Sequence, residues 1–343
     1  MQNRITKKEA LKLFKGAELL ELGQMADEVR GRLHPEGIVT FIVDRNINYT
    51  NICINQCKFC AFWRDESKGY VISRRELYKK IEETLELGGT QILIQGGLNP
   101  RLGIEYYIDL LKAIKKRFKI NVHGFSPPEI CYIADKSHLT IRETLQVLRD
   151  AGLDSIPGGG AEILSDGVRR VLSPKKIRTS LWLKVMKEAH RLGMRTTATM
   201  MFGSIERPED IIEHLEAVRS LQDRTGGFTA FIPWSFQPGN TAYAEKIHPA
   251  TAVEYLKVLA ISRLYLDNIA NIQASWVTQG IKLAQVSLRF GANDLGSTMI
   301  EENVVSATGV SHRVSKEDMI EAIKSAGFKP AQRDTYYNVI KVY

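Results

Sequence analysis

Two periodicities alternate along this chain. Compact apolar runs, bounded by glycine or polar loops, read as strands buried on both faces; between them apolar residues recur every three or four positions, as on a helix with one packed face. The strand-like runs fall at 38–43, 91–95, 119–125, 153–156, 195–201, 227–233, 271–276 and 291–295. Helices are predicted over 73–87, 104–118, 140–151, 178–192, 208–225, 251–268 and 279–290. Chemistry marks their ends. Ser73-x-x-Glu76, Thr140-x-x-Glu143 and Thr251-x-x-Glu254 place a hydroxyl and a carboxylate where each can bond the other residue's backbone N–H, and Gly88, Gly152 and Gly193 stand where a helix stops. Pro208 suits a first helical turn, which needs no N–H. Thr6 and Glu9 open the first of two short helices in 1–36, which His34-Pro35-Glu36-Gly37 brings to an end. At the other end, 315–343 adds a helix ending at Gly327 and a strand near 335–342.

Eight strands alternating with helices is the count of an α/β fold of one kind, the closed (β/α)8 barrel of TIM type. The expected organisation is an N-terminal helical segment (1–36), the barrel (37–313) and a C-terminal extension packed on it (314–343). In such a barrel, reactive groups gather on loops after the strands' C-terminal ends. A cysteine-rich loop follows the first strand, Gly96-Gly97 the second, and His123 to Ser126 the third. Gly158-Gly159-Gly160 follows the fourth, Met201-Phe202-Gly203 the fifth and Trp234 the sixth, while Trp276 and Asn293-Asp294 close the ring.

Composition narrows the class. In 343 residues, 44% hydrophobic and 25% charged content is that of an ordinary globular protein. No run of 18 apolar residues is long enough to span a membrane, and the first residues lack the apolar core of a secretion signal, so a cytoplasmic protein without a membrane partner is expected. The net charge of +8 raises the question of nucleic acid. The densest basic run, Lys115-Lys116-Arg117-Phe118-Lys119, falls at a helix end, where cations complement the dipole. No aromatic–basic stripe of the kind that binds single strands is present. The expected partner is a small molecule, with a positive field to attract an anionic one.

Three of the four cysteines, Cys53, Cys57 and Cys60, sit within eight residues. Each could bind one corner of an iron–sulfur cube; the fourth, Cys131, is remote and reads as a free buried thiol. One iron would then be open to a small molecule, which separates a reactive centre from a structural one. A zinc site would need a fourth ligand, and His34 and His123, the nearest histidines, lie far along the chain. The Cys-x3-Cys-x2-Cys spacing, with Phe59 before the third cysteine, resembles the signature of the radical S-adenosylmethionine enzymes. What the resemblance implies is a 4Fe–4S cluster on Cys53, Cys57 and Cys60, whose open iron holds the amino-acid end of S-adenosylmethionine.

Other positions have two readings each. Gly96 and Gly97 make either a tight turn or a bare backbone for the methionine end of the cofactor. Phe59 either fills core or packs by the adenine. Glu162 is either a surface carboxylate or the acceptor for the ribose hydroxyls, a task Ser126 either shares or leaves for helix capping. His123 is either a half-buried imidazole or the base that removes a proton from substrate. Asn293, Asp294, Ser297 and Thr298 either cap a helix or bind a sugar-bearing substrate. Trp234 and Trp276 are either packing or an aromatic wall.

Longer strings extend the resemblance over roughly 38–340: Asp44 to Asn51, Gln95 to Pro100, His123 to Ile130, Pro157 to Leu164, Thr196 to Gly203, Gln273 to Gly280 and Gly291 to Asn303. They are similar to the cyclic dehypoxanthinyl futalosine synthases of the futalosine route to menaquinone. Aminofutalosine synthase and the two deazaflavin-chromophore synthases are close relatives of that family. Ile54 and Trp63 stand where the family pattern has tryptophan and tyrosine, between or beyond the cluster ligands. The resemblance implies hydrogen removal from C4′ of the ribose of dehypoxanthine futalosine, ring closure onto the benzoate, and a reducing partner such as flavodoxin or ferredoxin.

Overall fold

The computed structural model describes residues 4–343; residues 1–3, where the expected N-terminal segment begins, lie outside the described residues. Two helices, α1 (Lys7–Gly16) and α2 (Leu19–Leu33), precede the barrel. Thr6 caps α1 as its sequence predicts: its hydroxyl accepts from the Glu9 N–H at 3.2 Å, and the Glu9 carboxylate accepts from the Thr6 N–H at 2.8 Å. The first barrel strand is β1 (Ile38–Ile42) continued, after a bend at Val43, as β2 (Asp44–Asn48). There follow α3 (Arg74–Glu86), β3 (Gln91–Gln95), α4 (Ile104–Arg117), β4 (Asn121–Gly124), α5 (Pro127–Lys136), α6 (Ile141–Ala151) and β5 (Ser155–Ile156). Next come α7 (Asp166–Leu172), α8 (Thr179–Arg191), β6 (Arg195–Phe202), α9 (Pro208–Thr225), β7 (Phe228–Ser235), α10 (Ala252–Tyr265) and β8 (Asn271–Ile272). The chain ends with α11 (Trp276–Gln279), α12 (Ile281–Ser287), β9 (Asp294–Ser297), α13 (Lys316–Ser325), β10 (Lys329–Arg333) and β11 (Val339–Val342).

Strands β2 to β8 form one parallel sheet in chain order. It curls back on itself through β9, which pairs in parallel with β1 and meets β8 at the Gln273–Asp294 bridge. The Asn293 N–H bonds the Ile272 carbonyl at 3.1 Å and the Thr298 N–H bonds that of Ile42 at 2.9 Å, which joins the ring on both sides of β9. The α/β barrel expected from the periodicity is therefore present, with its last closure made by a few bonds rather than a full ladder. The extension attaches to the same strand: β10 pairs in parallel with β1, from Ile38 beside Lys329 to Phe41 beside Gln332, and β11 runs antiparallel on β10. Above the Val43 bend β3 takes over as the partner of β2. Ala10, Leu22 and Ala26 from the first helices and Met319, Ile323 and Phe328 from the extension share one apolar cluster with the barrel.

Several elements depart from the expected boundaries, each for a physical reason. The first strand continues past 43 because Asp44 and Asn46, poor strand formers in water, face a polar interior. Helix α5, which the periodicity does not predict, starts on Pro127-Pro128, since missing N–H groups cost nothing in a first turn. Helix α7 was not expected at all. The seventh strand ends at Ile272, so Trp276 opens a helix instead, and the eighth lies at 294–297. In the extension the strands are 329–333 and 339–342.

Candidate active site

The cysteine loop leaves β2 and folds against the strand-two and strand-four loops. Its backbone is held by the Ile54 N–H on the Leu98 carbonyl (3.1 Å), the Lys58 N–H on Leu172 (3.1 Å) and the Cys60 N–H on Cys57 (3.1 Å). A Cβ on Gly97 would collide with the Ile52 carbonyl and the Cys53 side chain, so a bare backbone is what lets the loop dock here. Cys57 is buried, and Cys53 and Cys60 are half-buried; all three are free thiols. Burial pushes the Cys57 thiol up to about 12, while the Lys176 ammonium acts in the opposite direction. Among the described residues no three His, Cys, Asp or Glu side chains are gathered to hold a metal ion. A cube, which presents its irons at separate corners, fits three spaced sulfurs better than one zinc ion does.

Lys176 was not singled out in the sequence, yet it is central here. It is buried beside Cys57, sits 5.1 Å from the Phe59 ring centroid, and pairs with Glu162 at 2.6 Å. The pairing with Glu162 raises its pKa despite burial. Glu162 has a left-handed backbone (φ 42°), unusual for a residue with a side chain, and its second carboxylate oxygen is buried without a partner among the described residues. Arg169 of α7 holds this turn in place, donating to the carbonyls of Gly160 (3.2 Å), Ala161 and Ile177 (2.6 Å). It therefore fixes both the loop carrying Glu162 and the segment carrying Lys176.

A second buried carboxylate organises the other side. Glu129, at the start of α5, accepts from the Tyr49 hydroxyl (2.7 Å), the Gly96 N–H (3.0 Å), the Ser126 N–H (2.8 Å) and the Ser126 hydroxyl (2.5 Å). It is fully buried, and burial raises its pKa against those four bonds. Gly96 and Ser126 are thus tied to one anchor, and Ser126 spends its hydroxyl on Glu129.

Below these loops the barrel encloses a cavity of about 280 Å³. One wall is polar: Asp44, Asn46, Gln91, Gln95 and His123 from β2, β3 and β4. The other side is more apolar, with Ile232 and Trp234 from β7, Trp276 and Val277 from α11, and Val304 and Val305 from the segment after β9, although Ser275, Thr278 and Glu302 stand among them. The segment after β9 borders the cavity and is held in place by its own bonds. The Glu302 carboxylate accepts from the N–H groups of Val304, Val305 and Ser306 (2.8, 2.8 and 2.9 Å), and Lys80 reaches both oxygens of Glu301 at 2.6 Å. Glu162 lines the cavity and so links it to Lys176 and the cysteine loop.

The structure separates the four polar residues near β9. Asp294 is fully buried in a bidentate pair with Arg333 (2.6 and 3.0 Å) and also accepts from the Thr40 hydroxyl and the Gly296 N–H. Asn293 accepts from Arg263 (2.7 Å) and from the Ile272 N–H (2.9 Å). Thr298 is buried but does not line the cavity, whereas Ser297 does and donates to Asp44. His123 faces the cavity from β4 and bonds the Ser155 hydroxyl at 2.7 Å. Burial pushes its pKa down to about 3, so the imidazole is neutral. Asp44, Glu129 and Lys176 went unweighed in the sequence. A string such as Asp44-Arg45-Asn46 looks like a polar loop until the strand is known to face a cavity.

Two family models match the chain, one described as the radical SAM superfamily over residues 47–218, the other as the CofH/MqnC C-terminal region over residues 225–343. The chain is 48% identical to a cyclic dehypoxanthine futalosine synthase of Halalkalibacterium halodurans, over 99% of this chain and 92% of the relative. It is 45% identical to a 5-amino-6-(D-ribitylamino)uracil–L-tyrosine 4-hydroxyphenyl transferase of Methanothermobacter thermautotrophicus, over 99% and 96%. Among solved structures, methylornithine synthase (PylB) superposes with a TM-score of 0.74 at 19% identity, covering 96% of this chain and 95% of that one, which bears on the fold alone.

Proposed function

This chain belongs to the radical S-adenosylmethionine superfamily, and from that premise we propose that it is a cyclic dehypoxanthine futalosine synthase. The reading rests on near-complete coverage at 48% identity, together with one feature of the site: a cavity whose polar and aromatic walls face each other beneath a three-cysteine loop. A sugar joined to an aryl ring needs both walls. Cys53, Cys57 and Cys60 would hold the 4Fe–4S cluster. Phe59, Gly96, Gly97, Ser126 and Glu162 would surround S-adenosylmethionine, with the unpartnered oxygen of Glu162 ready for a ribose hydroxyl and Lys176 beside it for a carboxylate. When bound, cluster and cosubstrate supply a 5′-deoxyadenosyl radical that removes hydrogen from the sugar of the substrate.

The protein's own residues then control the radical. Trp234, Ile232 and Trp276 hold the aryl ring against the sugar, which makes carbon–carbon bond formation intramolecular in effect. The 299–305 segment keeps water out while the radical lives. Restoring the aromatic ring releases one electron, which the oxidised cluster or the external redox partner would take up, and one proton, for which His123 is the acceptor we assign from its place on the cavity wall, although its burial works against protonation. Ser297 faces the substrate, while Asn293, Asp294 and Thr298 support the strand that carries it. A one-electron reductant is required, and flavodoxin or ferredoxin in a cytoplasmic setting fits an oxygen-sensitive cluster.

The transferase relatives at similar identity favour a second reading, because their named ribitylamino compound is also rich in hydroxyls. Anaerobic, reconstituted protein with dithionite, S-adenosylmethionine and dehypoxanthine futalosine should yield 5′-deoxyadenosine together with a cyclic product. Product from tyrosine and the ribitylaminouracil instead, with none from dehypoxanthine futalosine, would replace the first reading by the second.

A further inference from the structure

The inner face of β2 turns two side chains toward the cavity, Asp44 and Asn46, two residues apart as strand alternation requires. Register sets Asp44 beside Gln91 and Asn46 beside Leu93. Asp44 is engaged: the Ser297 hydroxyl donates to one oxygen and the Gln91 amide to the other. Asn46 is not. It is 4% exposed, it lines the cavity, and its Oδ1 is shut away from solvent with no hydrogen-bond partner among the described residues. A buried amide oxygen left unbonded is costly, and natural interiors rarely tolerate one without a reason. Its neighbour across the strand pair, Leu93, has no polar side-chain atom to offer.

We propose that Asn46 is a specificity-determining residue that accepts a hydrogen bond from a hydroxyl group on the sugar of the substrate. The proposal rests on the function proposed above and deepens it by naming the group that reads the sugar. A hydroxyl is the fitting donor. It is neutral, so it brings no charge into a wall that already holds Asp44, and it can accept as well as donate. The amides of Gln91 and Gln95 on β3 make that wall able to serve both roles. Polar groups elsewhere in the lining, such as Thr199, Ser275 and Thr278, can also meet the sugar, but none of them is a buried acceptor left without a partner as the Asn46 Oδ1 is.

The test is a binding cycle read by calorimetry on reconstituted protein without reductant, so that turnover plays no part. The ligands are dehypoxanthine futalosine and its 2′-deoxy and 3′-deoxy analogues. The wild type should bind the parent about tenfold more tightly than one of the two analogues. Asn46→Ala should bind the parent about tenfold more weakly and lose that preference. Asn46→Asp, which keeps an oxygen at the same place, should retain it, and Asn46→Leu substitutes for the alanine variant if the latter does not fold. Discrimination that survives in Asn46→Ala, or that is absent from the wild type, overturns the proposal. A wild type that does not bind the parent compound at all overturns the proposed function, and this inference with it.

Discussion

Two buried ion pairs border the cavity, and they are built differently. Arg333 and Asp294, near the floor, share two parallel bonds; Thr40 and the Gly296 N–H fill the remaining acceptor sites of the carboxylate, and Arg333 also lies 3.9 Å from the Tyr337 ring centroid. Glu162 and Lys176, near the mouth, share one bond, on a left-handed backbone, with one carboxylate oxygen unpartnered. In the first pair the carboxylate is complete, and only Arg333 reaches the cavity lining. The second is incomplete, and its unpartnered oxygen is the reason we propose that a ligand binds there. Completeness of hydrogen bonding, rather than the presence of charge, separates scaffold from site.

The contrast can be broken most directly at the floor. Arg333→Met leaves Asp294 buried without its counter-charge, and should lower unfolding free energy by about 3–5 kcal/mol in urea titrations. A loss below about 1 kcal/mol would mean that the pair is not the scaffold described here. At the mouth the order of effects should reverse. Glu162→Gln removes the counter-charge of Lys176 but keeps an oxygen that can accept from it, so it should shift the urea midpoint less than Arg333→Met does, yet weaken S-adenosylmethionine binding by about 10–100-fold in equilibrium dialysis, the range for hydrogen bonds to a charged group. Equal losses in both assays would show that the two pairs do the same job.

A pH-dependent effect concerns buried groups that have no counter-charge. Burial lowers His123 and His214 to about 3 and His190 to about 4, from an ordinary 6.5. Between those values and 6.5 the unfolded chain binds protons that the folded chain does not, so stability is full above pH 6.5 and declines as pH falls, by up to about 1.4 kcal/mol per histidine per pH unit. Asp44 and Glu129, whose pKa values are raised by burial, act the other way. The melting temperature should therefore fall between pH 6.5 and 5, and His214→Asn should flatten that slope. His214 accepts from the Leu164 N–H at 3.0 Å, a bond an asparagine oxygen can replace. An unchanged slope would place the acid sensitivity elsewhere.

Much of this molecule was legible from the chain alone, because the signals involved are local. A capping box spans three residues, an iron–sulfur loop spans eight, and a buried strand announces itself by its own apolar run; Thr140 with Glu143, the three cysteines and Gln91–Gln95 each carry their evidence within a few positions. The cavity was not legible in the same way. Its walls take alternate residues from strands far apart in sequence, so Asp44 meets Ser297 and Arg333 meets Asp294 only after the barrel has closed. Charge and polarity look alike on an exposed loop and on a lined interior, and only register and burial distinguish them. For that reason Asp294 read as a ligand-binding candidate and proved to be fully bonded scaffold, while Asn46, two residues from the start of an unremarked strand, emerged with an oxygen to spare.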